Sequence, residues 1–144
     1  MKKIIDNGLI IDVDDILTRK LHANPDYYVC QCSYCRNFCL TIKRNISKDL
    51  LKLIEDLGID IQKPSEAVEF GMKNKMVHYI VDYHFVGGYD ISTYSKNELN
   101  TETLDYAFFK NDKSLADKSF DPYDIVALRV NVHLPWNLKE DYEV

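Results

Sequence analysis

No apolar run in this chain approaches the roughly 18 residues of a membrane-spanning helix, so no membrane partner is expected. No stretch carries the clustered lysines and arginines of a phosphate-binding footprint. Lysine and arginine total 18 against 23 aspartates and glutamates, and the resulting net charge of −5 makes nucleic acid an unexpected partner. Lys43-Arg44 and Lys73–Lys75 are basic, but acidic neighbours surround them. A basic protein partner suits this charge better, through long-range steering. Also missing are a P-loop, GxGxxG, HExxH and GxSxG, so no complete catalytic or phosphate-binding motif is present. Only Ile4-Ile5 stand between Lys2-Lys3 and Asp6-Asn7-Gly8, which leaves no room for the apolar core of a secretory signal. The expected compartment is therefore the cytoplasm, where thiols stay reduced.

What is present describes an ordinary globular domain. Apolar residues make up 46% and charged residues 28% of the 144, and this length suits one domain over 1–144. Such a domain buries about 68–70% of its unfolded surface and needs no cross-link to fold. There is no internal repeat or low-complexity tract, and the wealth of Lys, Asn, Ile, Asp and Tyr is typical of an AT-rich bacterial genome.

Asp6-Asn7-Gly8 predicts a hairpin between Lys3–Ile5 and Leu9–Val13, because Asn-Gly tolerates positive φ at both turn positions. Asp14 is placed to cap a short helix carrying Ile16, Leu17 and Leu21, which must stop before Asn24-Pro25. Tyr27–Gln31 reads as a strand. Ser33 is the expected cap of a helix whose Cys35, Phe38, Cys39 and Ile42 share one face. Ser47 caps the next helix, Ile46 and Leu51 form a hydrophobic staple, and Gly58 ends it. Its stripe is Leu50, Leu53, Ile54 and Leu57, and Pro64 is expected to begin one further helical turn through Val68.

The second half reads as sheet. Val77, Tyr79, Val81, Tyr83 and Phe85 alternate along Met76–Val86, which Gly87-Gly88 should break. Val126, Leu128, Val130, Val132 and Leu134 alternate along Asp124–Leu134, and Leu104–Phe109 is a third strand. The polar stretches 92–103 and 111–122 read as loops. Helices early and long strands late predict an α+β fold, an antiparallel sheet packed with two to three helices.

All four cysteines, Cys30, Cys32, Cys35 and Cys39, fall within ten residues. Three readings stand side by side. Free cysteine is often a small core residue. Thiolates also bind Zn²⁺ tetrahedrally, and Cys32-Ser-Tyr-Cys35 suits half of such a site, completed by Cys30 and Cys39 or by a histidine from elsewhere. Lastly, a cysteine in the first helical turn gains thiolate character for redox or nucleophilic chemistry, although the βαβ alternation of a thioredoxin-like site is missing.

The polar faces of the long strands form a second candidate. His78, Asp82 and His84 on one, and Arg129 and His133 on the other, need only a sheet with one wet side. If the strands are neighbours, the same residues converge on a titratable patch suited to acid–base work or metal binding. Pro135 should end the last strand, and Trp136, the single tryptophan, either folds over the core edge or anchors a partner.

Tyr27-Tyr28, the run Cys32-Ser-Tyr-Cys35-Arg-Asn-Phe38, Leu57-Gly-Ile-Asp60, Lys63-Pro-Ser-Glu66 and Leu134-Pro-Trp136 together resemble a family of small uncharacterised bacterial proteins, a domain of unknown function. The resemblance runs from about Tyr27 to Trp136 and implies a compact domain with a CxxC-type element beside a helix. It implies no catalytic residues. The functional expectation is a non-enzymatic protein-binding domain, an inhibitor or immunity-like partner. Its rivals are a zinc-stabilised binding domain built on the cysteine cluster and a thiol- or metal-dependent enzyme.

Overall fold

A computed structural model describes residues 1–93, 105–110, 113 and 115–142. Asn7 and Gly8 take φ of 49° and 86°, closing the predicted hairpin of β1 (Lys2–Asp6) and β2 (Leu9–Val13). Asp14 caps α1 (Asp15–His22), its carboxylate accepting from the Leu17 amide. Its buried residues differ from the expected stripe. Thr18 and His22 are buried, whereas Ile16 is 76% exposed. The Thr18 hydroxyl donates to the Asp14 carbonyl and accepts from the Val86 amide, fastening α1 to the sheet by polar contacts.

Tyr27–Gln31 forms no strand. Tyr27 instead stacks on His22 and hydrogen-bonds the Lys63 carbonyl. Helices α2 (Ser33–Thr41) and α3 (Lys48–Asp56) follow. The N-cap of α2 is Cys32, one residue before the expected Ser33, and its side chain makes no capping bond. The Ser47 hydroxyl caps α3 through the Leu50 amide, and Ile46 and Leu51 both pack on the core.

The expected helical turn after Pro64 is absent. Glu66–Lys73 forms β3 and turns through Asn74 and Lys75, at φ of 55° and 64°, into β4 (Met76–Tyr89). Alternation of Val68, Phe70 and Met72, with Asn74 at the turn, is the signal for this hairpin. Nor does Gly87-Gly88 stop β4, because Val13 pairs with Gly87 and Asp12 with Gly88. A Cβ on Gly87 would lie 2.0 Å from the Asp12 carbonyl oxygen, and φ is +153°, so only glycine permits this approach.

Strands β5 (Tyr106–Lys110) and β6 (Ile125–Pro135) complete a six-stranded antiparallel sheet among the described residues. Its order is β1-β2-β4-β6-β5, with β3 also on β4. β6 lines β4 from Met76 to Val86, so β3 and β2 follow one another along the other edge. Leu104 and most of the expected 92–103 loop lie outside the described residues; the expected 111–122 loop includes a short helical turn, Lys118–Phe120.

The inner sheet face is the alternating apolar set of β4 and β6, covered by Phe38 and Ile42 of the α2 region and by the stripe of α3. Each such buried side chain contributes about 1.5–3 kcal/mol relative to exposure. At one end of the opposite face a second cluster joins Tyr27, Val86, Phe120 and Ile125, with Leu17 and Leu21 of α1 packed against it.

Candidate metal centre

Three of the four cysteines converge. The ligand atoms of Cys30, Cys32 and Cys35 all lie within 4.8 Å of one another, and none is in a disulfide. Tetrahedral zinc with Zn–S of about 2.3 Å sets its sulfurs roughly 3.8 Å apart, so the cluster needs only a small contraction around an ion. Local structure explains the convergence. Cys32 is the extended residue before α2 and Cys35 is one turn inside it, which puts both at the helix start. Cys30 comes back over them in the irregular segment. Arg36 holds that segment in place, its Nε donating to the Gln31 carbonyl at 2.9 Å and its Nη1 to Glu140 Oε1 at 2.6 Å.

Burial is graded across the cluster: Cys35 is buried, Cys30 half-buried and Cys32 exposed. The Cys32 backbone amide and the neighbouring thiols hold Cys30 below the ordinary thiol range. Burial, then hydrogen bonding to Cys32 and Cys30, pushes Cys35 up. The trio is therefore unequal before any ion binds. Cys39 stands apart from it. Its thiol donates to the Gln62 carbonyl at 3.2 Å, and burial followed by the charge of Asp60 raises its pKa. The expected four-cysteine ligand set is thus three residues and a separate half-buried thiol.

The long strands are neighbours, and their register pairs His78 with His133 and Asp82 with Arg129. On that face they make local pairs. The His78 and His133 rings stack at 4.5 Å, and His78 hydrogen-bonds Asn131 Oδ1. Asp82 takes a two-point bond from Arg129, at 2.8 and 3.0 Å, and the guanidinium lies over Phe109. His84 is buried and bonds the Ser65 hydroxyl at 2.6 Å. Each titratable group is committed to a local partner, which is how a sheet face holds polar groups under partial cover.

Sequence reading missed His22, Asn37 and Arg36. His22 Nδ1 accepts from the Asp60 amide and its Nε2 lies 2.9 Å from the His84 carbonyl, which sets the neutral Nε2–H tautomer. Burial lowers its pKa. Buried Asn37 donates to the Pro135 carbonyl and accepts from the Asn137 amide, tying α2 to the chain after β6. Trp136 packs on the core edge against Tyr34 and Tyr142. A single polar residue on a helix leaves no periodic signal, so His22, Asn37 and Arg36 were not visible in the pattern.

A cleft of about 610 Å³, lined in part by Asp12, Asp14, Leu17, Val86, Tyr123 and Ile125, involves neither the cysteines nor the histidines. No described helix is long and apolar enough to cross a membrane. No family model, curated protein or solved structure matches the chain, so the family resemblance rests on the motifs alone.

Proposed function

We propose that Cys30, Cys32 and Cys35 bind a zinc ion, and that the protein is a zinc-stabilised binding domain. The observation carrying this reading is the meeting of three unpaired sulfurs from an irregular segment and a helix start. Soft thiolates suit Zn²⁺ among the common divalent ions. The ion's work is structural: it fixes residues 27–32, which lack regular structure, against α2. The net charge of −5 favours a basic protein partner, and Tyr28 and Phe70, at 74% and 58% exposure, are aromatic contacts available to one.

The depressed thiol of Cys30 beside exposed Cys32 supports a second reading, a thiol-dependent enzyme. Metal analysis with thiol titration separates the two. About one zinc per chain is expected, with the trio shielded until chelator is added and Cys39 slow to react because it is half-buried. Binding should be lost in Cys35→Ser and kept in Cys39→Ser. A metal-free protein with one fast-reacting thiol in the folded state sinks the zinc reading and leaves the enzyme.

A further inference from the structure

We propose that Ser65 is a nucleophile for small neutral esters, with His84 as its general base, at a cleft lined by none of the cysteines. The inference stands independently of the zinc reading. Strand register builds the pair. Glu66 opens β3 opposite Asp82, and the amide of Ser65 just before it donates to the Asp82 carbonyl at 2.7 Å. That bond fixes Ser65 beside β4, where alternation brings His84 to the same sheet face as Asp82. The Ser65 Oγ lies 2.6 Å from His84 Nδ1. An N–H donor sits about 2.9–3.0 Å from an oxygen and a hydroxyl donor comes closer, so the hydroxyl donates and the imidazole accepts. A serine in direct contact with a base that is itself held in place is the arrangement that activates a nucleophile. His84 is so held: it is 1% exposed, its ring packs near Phe120, and its carbonyl accepts from His22 Nε2.

Solvent reaches the nucleophile and not the base. Ser65 is half-buried and lines a cleft of about 540 Å³. The Tyr27 hydroxyl, 3.5 Å from Ser65 Oγ, sets an aromatic ring beside the reacting end. Tyr28 and Leu115 add apolar surface, and the charged lining, Asp26, Asp117 and Lys118, mixes both signs. A neutral ester with a small apolar acyl group suits such a lining. In the first step Ser65 Oγ bonds to the acyl carbon as its proton passes to His84 Nδ1. The bond from that carbon to the alcohol oxygen breaks, and the proton leaves on the alcohol. Water then gives its proton to His84 and takes the acyl group, which departs as the acid while Ser65 regains its hydrogen.

Diisopropyl fluorophosphate tests the nucleophile, since it phosphorylates an activated hydroxyl and releases fluoride. Ser119 is an internal control: it lines the same cleft, but its hydroxyl bonds Asp117 and not an imidazole. In the unaltered protein, mass mapping should find the adduct on Ser65 at least about tenfold ahead of Ser119, and the rate should fall about a hundredfold in His84→Gln. No adduct on Ser65, or equal labelling of Ser119, overturns the inference without recourse to any variant. An undiminished rate at Ser65 in His84→Gln, shown to be folded by circular dichroism, overturns it as well. Phenyl acetate tests the substrate class, and its release of phenol should be lost in Ser65→Ala. Phenol release that is absent from the unaltered protein, or unchanged in Ser65→Ala, overturns the ester assignment.

Discussion

Breaking the Asp82–Arg129 pair should destabilise the protein asymmetrically, because the two partners are unequally buried. The Asp82 side chain is 8% exposed and the Arg129 side chain 39%. Exposed pairs are worth about 0.2–1 kcal/mol. Removing one partner of a buried pair costs about 3–5 kcal/mol, because the other charge is left without compensation. Arg129→Val strands a nearly buried carboxylate and loses the stacking on Phe109, yet water can still enter where the guanidinium was. We expect a loss of about 2 kcal/mol, or roughly 6–8 °C in Tm for a chain of this size. Asp82→Val leaves a guanidinium that already reaches water, and should cost about 1 kcal/mol. In the double variant two β-branched residues face each other in register across β4 and β6, with a net cost of about 0–1 kcal/mol. The double-mutant cycle therefore yields a coupling of about 2–3 kcal/mol, read from urea unfolding at constant pH and salt. Single effects that are equal, and that add within about 0.5 kcal/mol, would refute the reasoning by showing that solvent screens the pair.

Other outcomes follow from the same structure. Gly87→Ala puts a methyl group against the Asp12 carbonyl, so it should cost about 2–4 kcal/mol and loosen the β1–β2 hairpin, seen as faster amide exchange at Ile11 and Val13. Burial lowers the folded pKa of His22 below its ordinary 6.5, so below that value the unfolded chain binds a proton that the folded chain refuses. Stability contributed by neutral His22 is thus complete above about pH 6.5 and falls as pH drops toward the folded pKa. The stability difference between about pH 7 and pH 5 should be smaller in His22→Gln, even if that variant is weaker throughout; an unchanged difference assigns the acid sensitivity elsewhere. Chelation of the zinc-loaded protein should lower its Tm and expose residues 27–32 to protease before the sheet unfolds, as limited proteolysis with mass mapping will show.

Much of the fold was legible because local rules acted alone. The Asn7-Gly8 turn, the Asp14 and Ser47 caps and the apolar alternation of β4 and β6 depend on residues near one another in the chain. Errors arose where a distant partner decided. Tyr27–Gln31 has the side chains of a strand, but Tyr27 stacks on His22 and bonds the Lys63 carbonyl instead of joining a ladder. Pro64 suggested a helix start, while the pairing of Glu66–Lys73 with β4 made that stretch a strand. Gly87-Gly88 looked like a break because the closeness of Asp12, which requires glycine there, is invisible along the chain.

The candidate site divides in the same way. Sequence alone determined that four thiols crowd into ten residues and that the histidines of β4 and β6 alternate with a core face, since spacing and period are local properties. Tertiary structure decided which thiols meet. The path of the irregular segment over the α2 start brings Cys30 to Cys32 and Cys35, while the Gln62 carbonyl draws Cys39 away. It also decided that Asp82 serves Arg129 and that His84 serves Ser65, because strand register and the packing of distant segments assign a polar side chain its partner.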